Sequence, residues 1–319
     1  MIAPPVSAAA AAHEKTILVI GMHRSGTSML TRLIHSMGAN AGKPEDLIPE
    51  DPRDSPSGYW ERKDVVFEHD SLLVSHGFAW DWLAHFEWQR LNPVYVEAFV
   101  DRAVHWRRGL DTAGRPLVLK DPRLCLFMPI WKMVLRNPAY VFCVRDPRII
   151  ATSIAMPPRR NYPAQFALAL WEKYVQQALN SLRGERVLFV RYEVLMANAL
   201  SECARLASGV ERLGVSGLRV LTKPHLDSLI ETRFNRSKAS QQATLSPAQE
   251  ALLGWLDARC HEADSVQVSR LPPFESPDPV LDRYQGLLRK KLVRQRTDAA
   301  RNLASMRGEV VSMSARSSR

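Results

Sequence analysis

The stretch that decides the fold is residues 16–28, Thr-Ile-Leu-Val-Ile-Gly-Met-His-Arg-Ser-Gly-Thr-Ser. Its first six residues, 16–21, form a β-branched apolar run that predicts a fully buried parallel strand. A glycine-containing loop follows, and then apolar residues recur at helical spacing: Met29, Leu30, Leu33, Ile34 and Met37. This spacing predicts a helix that ends at Gly38.

The same alternation continues along the chain. Further strands are predicted at 117–120, 140–144 and 187–190, and helices near 123–136, 163–183 and 197–213. Ser246 followed by Pro247 predicts the start of one more helix. Residues 43–58, rich in Pro, Asp and Gly, predict a long loop of the kind that is usually functional or mobile. The pattern predicts an α/β fold in three layers, with a central parallel sheet flanked by helices.

The loop after the first strand has the composition of a phosphate-binding loop. Backbone N–H groups and the positive end of the following helix can surround a phosphate there. The spacing G-x-x-x-x-G matches a nucleotide-triphosphate loop, but the Lys expected after Gly26 is replaced by Thr27, and a cation, Arg24, lies inside the loop. This favours a 5′-phosphoryl ligand that is not a triphosphate. The candidate binding residues are His23, Arg24, Ser25, Gly26, Thr27 and Ser28; for His23 we favour packing in the loop over a role as a base.

A second candidate phosphate element is residues 141–148, Val-Phe-Cys-Val-Arg-Asp-Pro-Arg, with Ser153 eight positions after Arg145. Arg145 is placed at the carboxyl end of a predicted strand, where ligands of open α/β sheets bind. An Arg and a hydroxyl so arranged can hold a phosphate through charge-assisted hydrogen bonds. Taken alone, an Arg-Asp pair that caps a helix explains the motif equally well.

Together the two motifs resemble the nucleotide-binding signatures of sulfotransferases that use 3′-phosphoadenosine 5′-phosphosulfate (PAPS). Residues 24–28 resemble their 5′-phosphosulfate loop, and Arg145 with Ser153 resembles their 3′-phosphate element. Residues 191–195, Arg-Tyr-Glu-Val-Leu, resemble a short run after a later strand in that family. The resemblance covers about residues 16–260. It implies a P-loop-like α/β fold and sulfuryl transfer without a metal, with PAPS as donor and 3′-phosphoadenosine 5′-phosphate (PAP) as product.

Sulfuryl transfer requires cations at the leaving oxygen and a base for the acceptor. Arg24 is the first cation. The second is Lys120, at the end of the predicted strand 117–120, although a solvated Lys or a pair with Asp121 explains its position too. The resemblance also implies that a late basic segment closes over the nucleotide. Arg233 and Arg236 lie in the matching segment, where a solvated charge run is at least as good an explanation.

The base is expected in the segment that follows the first helix. Residues 57–64 offer Glu61, whose aromatic neighbours would desolvate it and raise its pKa toward neutrality. Glu68 and His69 remain alternatives, and so does a purely structural role of Glu61 at a helix start. The tryptophans between residues 60 and 106 predict either an acceptor pocket or ordinary core packing, of which core is the commoner outcome.

Composition sets the remaining expectations. The 319 residues carry a net charge of +10, but residues 282–319 alone account for +7, so the charge is weak evidence for nucleic acid. We therefore divide the chain into a flexible leader (1–15), a sulfotransferase domain (16–281) and a basic helical or disordered tail (282–319). The tail has apolar residues at helical spacing. It could extend into solvent, pack on the body, pair two copies in a homo-oligomer or lie on an anionic membrane surface.

Four scattered cysteines lack metal-ligand spacing, so we expect no metal and a cytoplasmic location. No apolar run is long enough to span a bilayer. Two rival functions remain within or beside this fold: a P-loop small-molecule kinase, and a non-catalytic nucleotide-binding scaffold. The acceptor is a hydroxyl or amine of a carbohydrate, lipid or small molecule that the sequence does not identify.

Overall fold

The sheet is built outward from strand β1 (Thr16–Ile20), whose five residues are all buried. The computed structural model describes residues 15–52, 55–110, 114–155, 162–230 and 243–287. Within them the sheet has the order β2-β1-β3-β4-β5. Its other strands are β2 (Leu117–Lys120), β3 (Ala139–Val144), β4 (Arg186–Arg191) and β5 (Val266–Gln267). Strands β1 to β4 run parallel, and β5 pairs antiparallel with β4.

The helices cover both faces of this sheet. In chain order they are α1 (Thr27–Ser36), α2 (Lys63–Ser75), α3 (Pro93–Gly109), α4 (Leu124–Val134), α5 (Pro147–Ala155), α6 (Ala164–Ser181), α7 (Tyr192–Ala197), α8 (Ala199–Arg212), α9 (Lys223–Leu229) and α10 (Pro247–Cys260). Short 3-10 turns occur at Pro44–Asp46 and Trp88–Arg90. None of the described helices combines the length and apolar character needed to cross a lipid bilayer.

Two hydrophobic cores form because side chains of a strand alternate between its faces. In β1, Leu18 and Ile20 join the core shared with α4 and α6, whereas Ile17 and Val19 join the core under α1 and α8. The result is three layers, helix, sheet and helix. The predicted α/β class with a central parallel sheet is therefore confirmed, and the strand at 117–120 has the predicted bounds.

The C-terminal part of the described chain packs on the body. Residues 278–287 are helical, Leu281 and Gln285 are buried, and Lys173 Nζ lies 2.9 Å from a carboxylate oxygen of Asp278. The boundary that we predicted at residue 282 falls inside this helix. The leader at 1–14 and the tail from 288 onward lie outside the described residues, so the proposed roles of the tail stay predictions.

Helix α10 begins with a capping box that the sequence predicted in part. Ser246 Oγ accepts a hydrogen bond from the Gln249 backbone N–H at 3.2 Å, and Gln249 Oε1 accepts one from the Ser246 N–H at 3.1 Å. Gln249 also donates to the buried Glu172 on α6 at 3.0 Å. The cap thus helps to hold α10 against the body.

Replacing the cap should cost a measurable part of the stability. We expect Ser246→Ala to lower the free energy of unfolding by about 1 kcal/mol, because the Gln249 N–H loses its acceptor. Urea denaturation of both proteins measures the difference. Ser246→Thr keeps the oxygen and serves as the control, and an equal loss in both variants would contradict the assignment.

Candidate active site

The loop between β1 and α1 is held in shape by a close approach between Gly26 and Tyr192. Gly26 has φ +91°, a conformation that favours glycine. A Cβ atom at this position would lie only 2.1 Å from the Tyr192 ring, which comes from the start of α7. Ser25 N–H donates to the Met22 carbonyl at 3.1 Å and tightens the turn. The loop therefore depends on glycine at 26 and on a residue far along the chain.

The two predicted phosphate elements form one cluster. Arg24 Nε donates to Ser153 Oγ at 2.8 Å, and Arg145 Nη1 donates to the Arg24 carbonyl at 2.9 Å. The Arg145 guanidinium also lies over the Tyr192 ring, 4.4 Å from its centroid. Sequence spacing predicted that Arg145 and Ser153 act together, and the structure places both against the first loop.

This cluster holds positive charge that is buried at Arg145 and partly buried at Arg24. Burial lowers the pKa of both Arg24 and Arg145 from the ordinary value for arginine, because a guanidinium loses hydration there. Arg145 Nε is buried and has no hydrogen-bond partner among the described residues. Buried donors and cations of this kind are stabilised by an anion.

A buried ion pair lies beside the loop. Lys120 Nζ, at the end of β2, is 2.5 Å from Glu61 Oε1 and donates to Ser28 Oγ at 3.2 Å. Lys120 thus pairs with Glu61, and we had considered Asp121 as its partner. Burial raises the pKa of Glu61, although the neighbouring Lys120 opposes that shift. Glu61 precedes α2, which begins at Lys63, so it is not a carboxylate of the first helical turn.

Asp121 anchors a second buried network behind Lys120. It accepts hydrogen bonds from the Arg123 N–H at 2.9 Å, from Arg123 Nη1 at 3.0 Å and from His69 Nδ1 at 2.9 Å. Burial alone would raise the pKa of Asp121, but Arg123 and His69 hold it well below its usual range. No local pattern predicts this network, because Asp121 and Arg123 follow β2 whereas His69 lies on α2, about 50 residues earlier.

The two alternative bases, His69 and Glu68, are both engaged in other contacts. His69 is fully buried, and its Nε2 accepts a hydrogen bond from Trp131 Nε1 at 2.8 Å, so both ring nitrogens are engaged. Glu68 forms two hydrogen bonds with Arg102 on α3, each 2.7 Å long. Of the three candidates, Glu61 is the one whose carboxylate contacts Lys120.

His23 lies at the edge of the loop against an aromatic wall. Its ring centroid is 4.6 Å from that of Trp80 and 5.7 Å from that of Tyr174. Burial and then the charge of Arg123 lower the pKa of His23 well below its ordinary value, so the ring is neutral at pH 7.

Trp88 and Trp106 pack against the core, which is the commoner outcome that we expected for the aromatic segment.

Two of the remaining candidates are not placed. Arg233 and Arg236 fall within residues 231–242, outside the described part of the chain.

The sequence analysis missed a contact beside Arg145. Glu193 Oε1 accepts a hydrogen bond from the Asp146 N–H at 3.2 Å. Arg191 Nε lies 2.7 Å from Glu193 Oε2, and its Nη1 contacts Asp257. This chain of contacts ties β4 and α10 to the Arg145 element.

Fold and site together define an α/β protein with a phosphate-loop-like unit at the carboxyl ends of its parallel strands. The chain belongs to the sulfotransferase family, whose family model, described as "Sulfotransferase family", matches residues 16–213. This confirms the resemblance found in the sequence, and membership supports sulfotransfer as the general activity. No curated protein sequence matches the chain.

Solved structures of sulfotransferases are similar to this one at low identity. The sulfotransferase domain from the Synechococcus PCC 7002 olefin synthase is 20% identical, with 77% of this chain and 95% of that chain covered and a TM-score of 0.44. Sulfotransferase STF1 from Mycobacterium tuberculosis is 16% identical, with 79% and 77% covered and a TM-score of 0.41. The sulfotransferase domain from the curacin biosynthetic pathway is 17% identical, with 86% and 98% covered and a TM-score of 0.40.

Removing the charge of Asp121 should strongly destabilise the protein. We expect Asp121→Asn to lower the free energy of unfolding by about 3–5 kcal/mol, because Arg123 and His69 are left buried without their carboxylate. Chemical denaturation measures the loss. Asp70→Asn is the matched control: Asp70 also pairs with Arg123, but its side chain is 45% exposed, so we expect less than about 1 kcal/mol. Equal losses would show that Asp121 does not anchor the network.

Proposed function

We propose that this protein transfers the sulfuryl group of PAPS to a hydroxyl or amine of an acceptor and releases PAP. One observation carries the proposal. Arg24, Arg145 and Lys120 converge, with the hydroxyls of Ser28 and Ser153, at the carboxyl ends of β1, β2 and β3. A ligand with one phosphate would occupy only part of this set, whereas PAPS carries a phosphosulfate and a separate phosphate.

The residues present fit such an anion. In the part of the chain that the structure describes, the Nε atom of the buried Arg145 has no hydrogen-bond partner, and Arg24 beside it is partly buried. We assign the 5′-phosphosulfate to residues 23–28 and the 3′-phosphate to Arg145 and Ser153. Arg233 and Arg236 stay predicted nucleotide contacts.

When bound, PAPS supplies an activated sulfuryl group, and the chain supplies orientation and charge. Arg24 and Lys120 stabilise the negative charge that develops on the leaving phosphate oxygen. Glu61 accepts the proton of the acceptor hydroxyl or amine, and its ion pair with Lys120 holds the carboxylate in the site. No metal ligand is needed for any of these roles.

The proposal also covers the approach of the acceptor and the location of the protein in the cell. The acceptor would approach past Trp80, beside His23. Its chemical identity is best sought with labelled PAPS against glycans, lipids and small phenols. The four cysteines are free thiols, as expected for a reducing compartment, and a cytoplasmic location is part of the proposal.

Ligand selectivity tests the donor. PAP should raise the melting temperature more than AMP, ATP or ATP–magnesium, because only PAP presents both phosphates to the Arg24 and Arg145 clusters. A response to ATP–magnesium as large as that to PAP would instead support a kinase. If none of these ligands raises the melting temperature, both the sulfotransferase and the kinase function are contradicted.

Within that assay, Arg145→Ala should raise the Kd for PAP about 10- to 100-fold, the effect of removing a charged hydrogen bond. Arg148→Ala is the matched control, since Arg148 lies three residues on and its guanidinium is already bonded to Asp146. Calorimetry gives both constants. Similar losses in the two variants would mean that general positive charge, and not the Arg145 position, binds the nucleotide.

Glu61 can be tested by turnover with an acceptor found in the labelled-PAPS screen. We expect Glu61→Gln to lower kcat by about 100- to 10,000-fold while PAP binding persists, because only the base is lost. Glu68→Gln, whose residue pairs with Arg102, should retain activity. Activity that survives in Glu61→Gln but not in Glu68→Gln would move the base to Glu68.

The pH profile should show the same group. Burial raises the pKa of Glu61 above 4.5, and the base is active only when deprotonated. The value of kcat/KM should therefore fall as the pH decreases through a midpoint above about 4.5. A midpoint at or below that value would contradict a desolvated base.

A further inference from the structure

The imidazole of His23 has unused hydrogen-bonding capacity. A neutral imidazole carries one N–H donor and one acceptor nitrogen. In His23 the Nε2 atom is buried without a partner, and no described residue forms a hydrogen bond with either ring nitrogen. His69 shows the contrast, since both of its nitrogens are engaged. Leaving a buried polar atom unpaired is unfavourable, so such an atom in a binding loop indicates a missing ligand contact.

The position of His23 narrows the choice of ligand group. It directly precedes Arg24 in the loop, and its ring is held against Trp80 and Tyr174. The loop follows β1, and Val19 of β1 pairs with Lys120 of β2, so the loop and the end of β2 lie side by side. In the proposed reaction the group transferred must pass through that region, from the loop toward Glu61.

The phosphates already have partners in this assignment: Arg24 and the loop backbone for one, Arg145 and Ser153 for the other. Arg24 and Lys120 act on the leaving phosphate oxygen in this assignment, and the non-bridging sulfuryl oxygens have no named donor. We propose that His23 donates a hydrogen bond to a non-bridging sulfuryl oxygen of PAPS, an inference that rests on the function proposed above. Sulfuryl oxygens only accept hydrogen bonds, and a neutral donor binds them without adding a charge beside the Glu61–Lys120 pair.

The matched ligands PAPS and PAP isolate this contact, because they differ by the sulfuryl group. We expect His23→Phe, which keeps a ring against Trp80, to raise the Kd for PAPS about 3- to 10-fold and leave the Kd for PAP unchanged. His23→Gln, whose amide can donate from the Nε2 position, should restore part of the PAPS affinity. Calorimetry without acceptor measures all four constants and the two wild-type values.

Three results would overturn the inference. If His23→Phe raises the Kd for PAPS and the Kd for PAP by the same factor, His23 only packs the loop. If neither affinity changes but turnover falls, His23 contacts the acceptor and not the sulfuryl group. If neither affinity nor turnover changes, the ring has no ligand contact. Failure of the proposed function looks different, because the wild-type protein would then bind neither PAPS nor PAP.

Discussion

The structure depends on the parallel register of β1 between β2 and β3. Val19 lies beside Lys120, and Ile20 lies beside Phe142, so the three strands end at one edge of the sheet. The residues that follow the three strands, which begin at positions 21, 121 and 145, are thereby brought to one place. A slip of one residue would turn every side chain of the strand to the opposite face, where it would not fit the packing of the other core.

The charged side chains at this edge of the sheet form two groups. Some are paired within the protein, and others are proposed to bind the ligand. The carboxylate of Asp121 is hydrogen-bonded to Arg123 and His69, so it is not a partner of Arg24 or Arg145. Glu61 balances Lys120 alone. Loss of hydration lowers the pKa of Arg24 and of Arg145, so keeping both guanidinium groups charged costs free energy in this environment. The polyanionic nucleotide that we propose as donor would recover part of that cost on binding.

Local patterns sufficed for the strand ends and for the residues placed on them. The placement of Arg145 and Ser153 was predictable because eight positions along a strand end and its helix bring both to the first loop, and that of Lys120 because it ends an apolar strand. The contacts of Gly26 with Tyr192, and of His69 with Asp121 and Trp131, were not predictable. They join elements distant in sequence, and nothing in the local pattern of either partner records the other. Strand β5, two residues long, is too short to show any periodicity.

The contact between Gly26 and Tyr192 also constrains how this chain can diverge, and it does so unequally. A smaller side chain at position 192 removes the steric conflict, at the cost of a cavity at a buried position and of the ring beneath the Arg145 guanidinium. Position 26 cannot grow in return, because its positive φ disfavours any side chain even when the ring is gone. Descendants of this sequence can therefore lose the aromatic ring and keep the glycine, but the reverse path is closed.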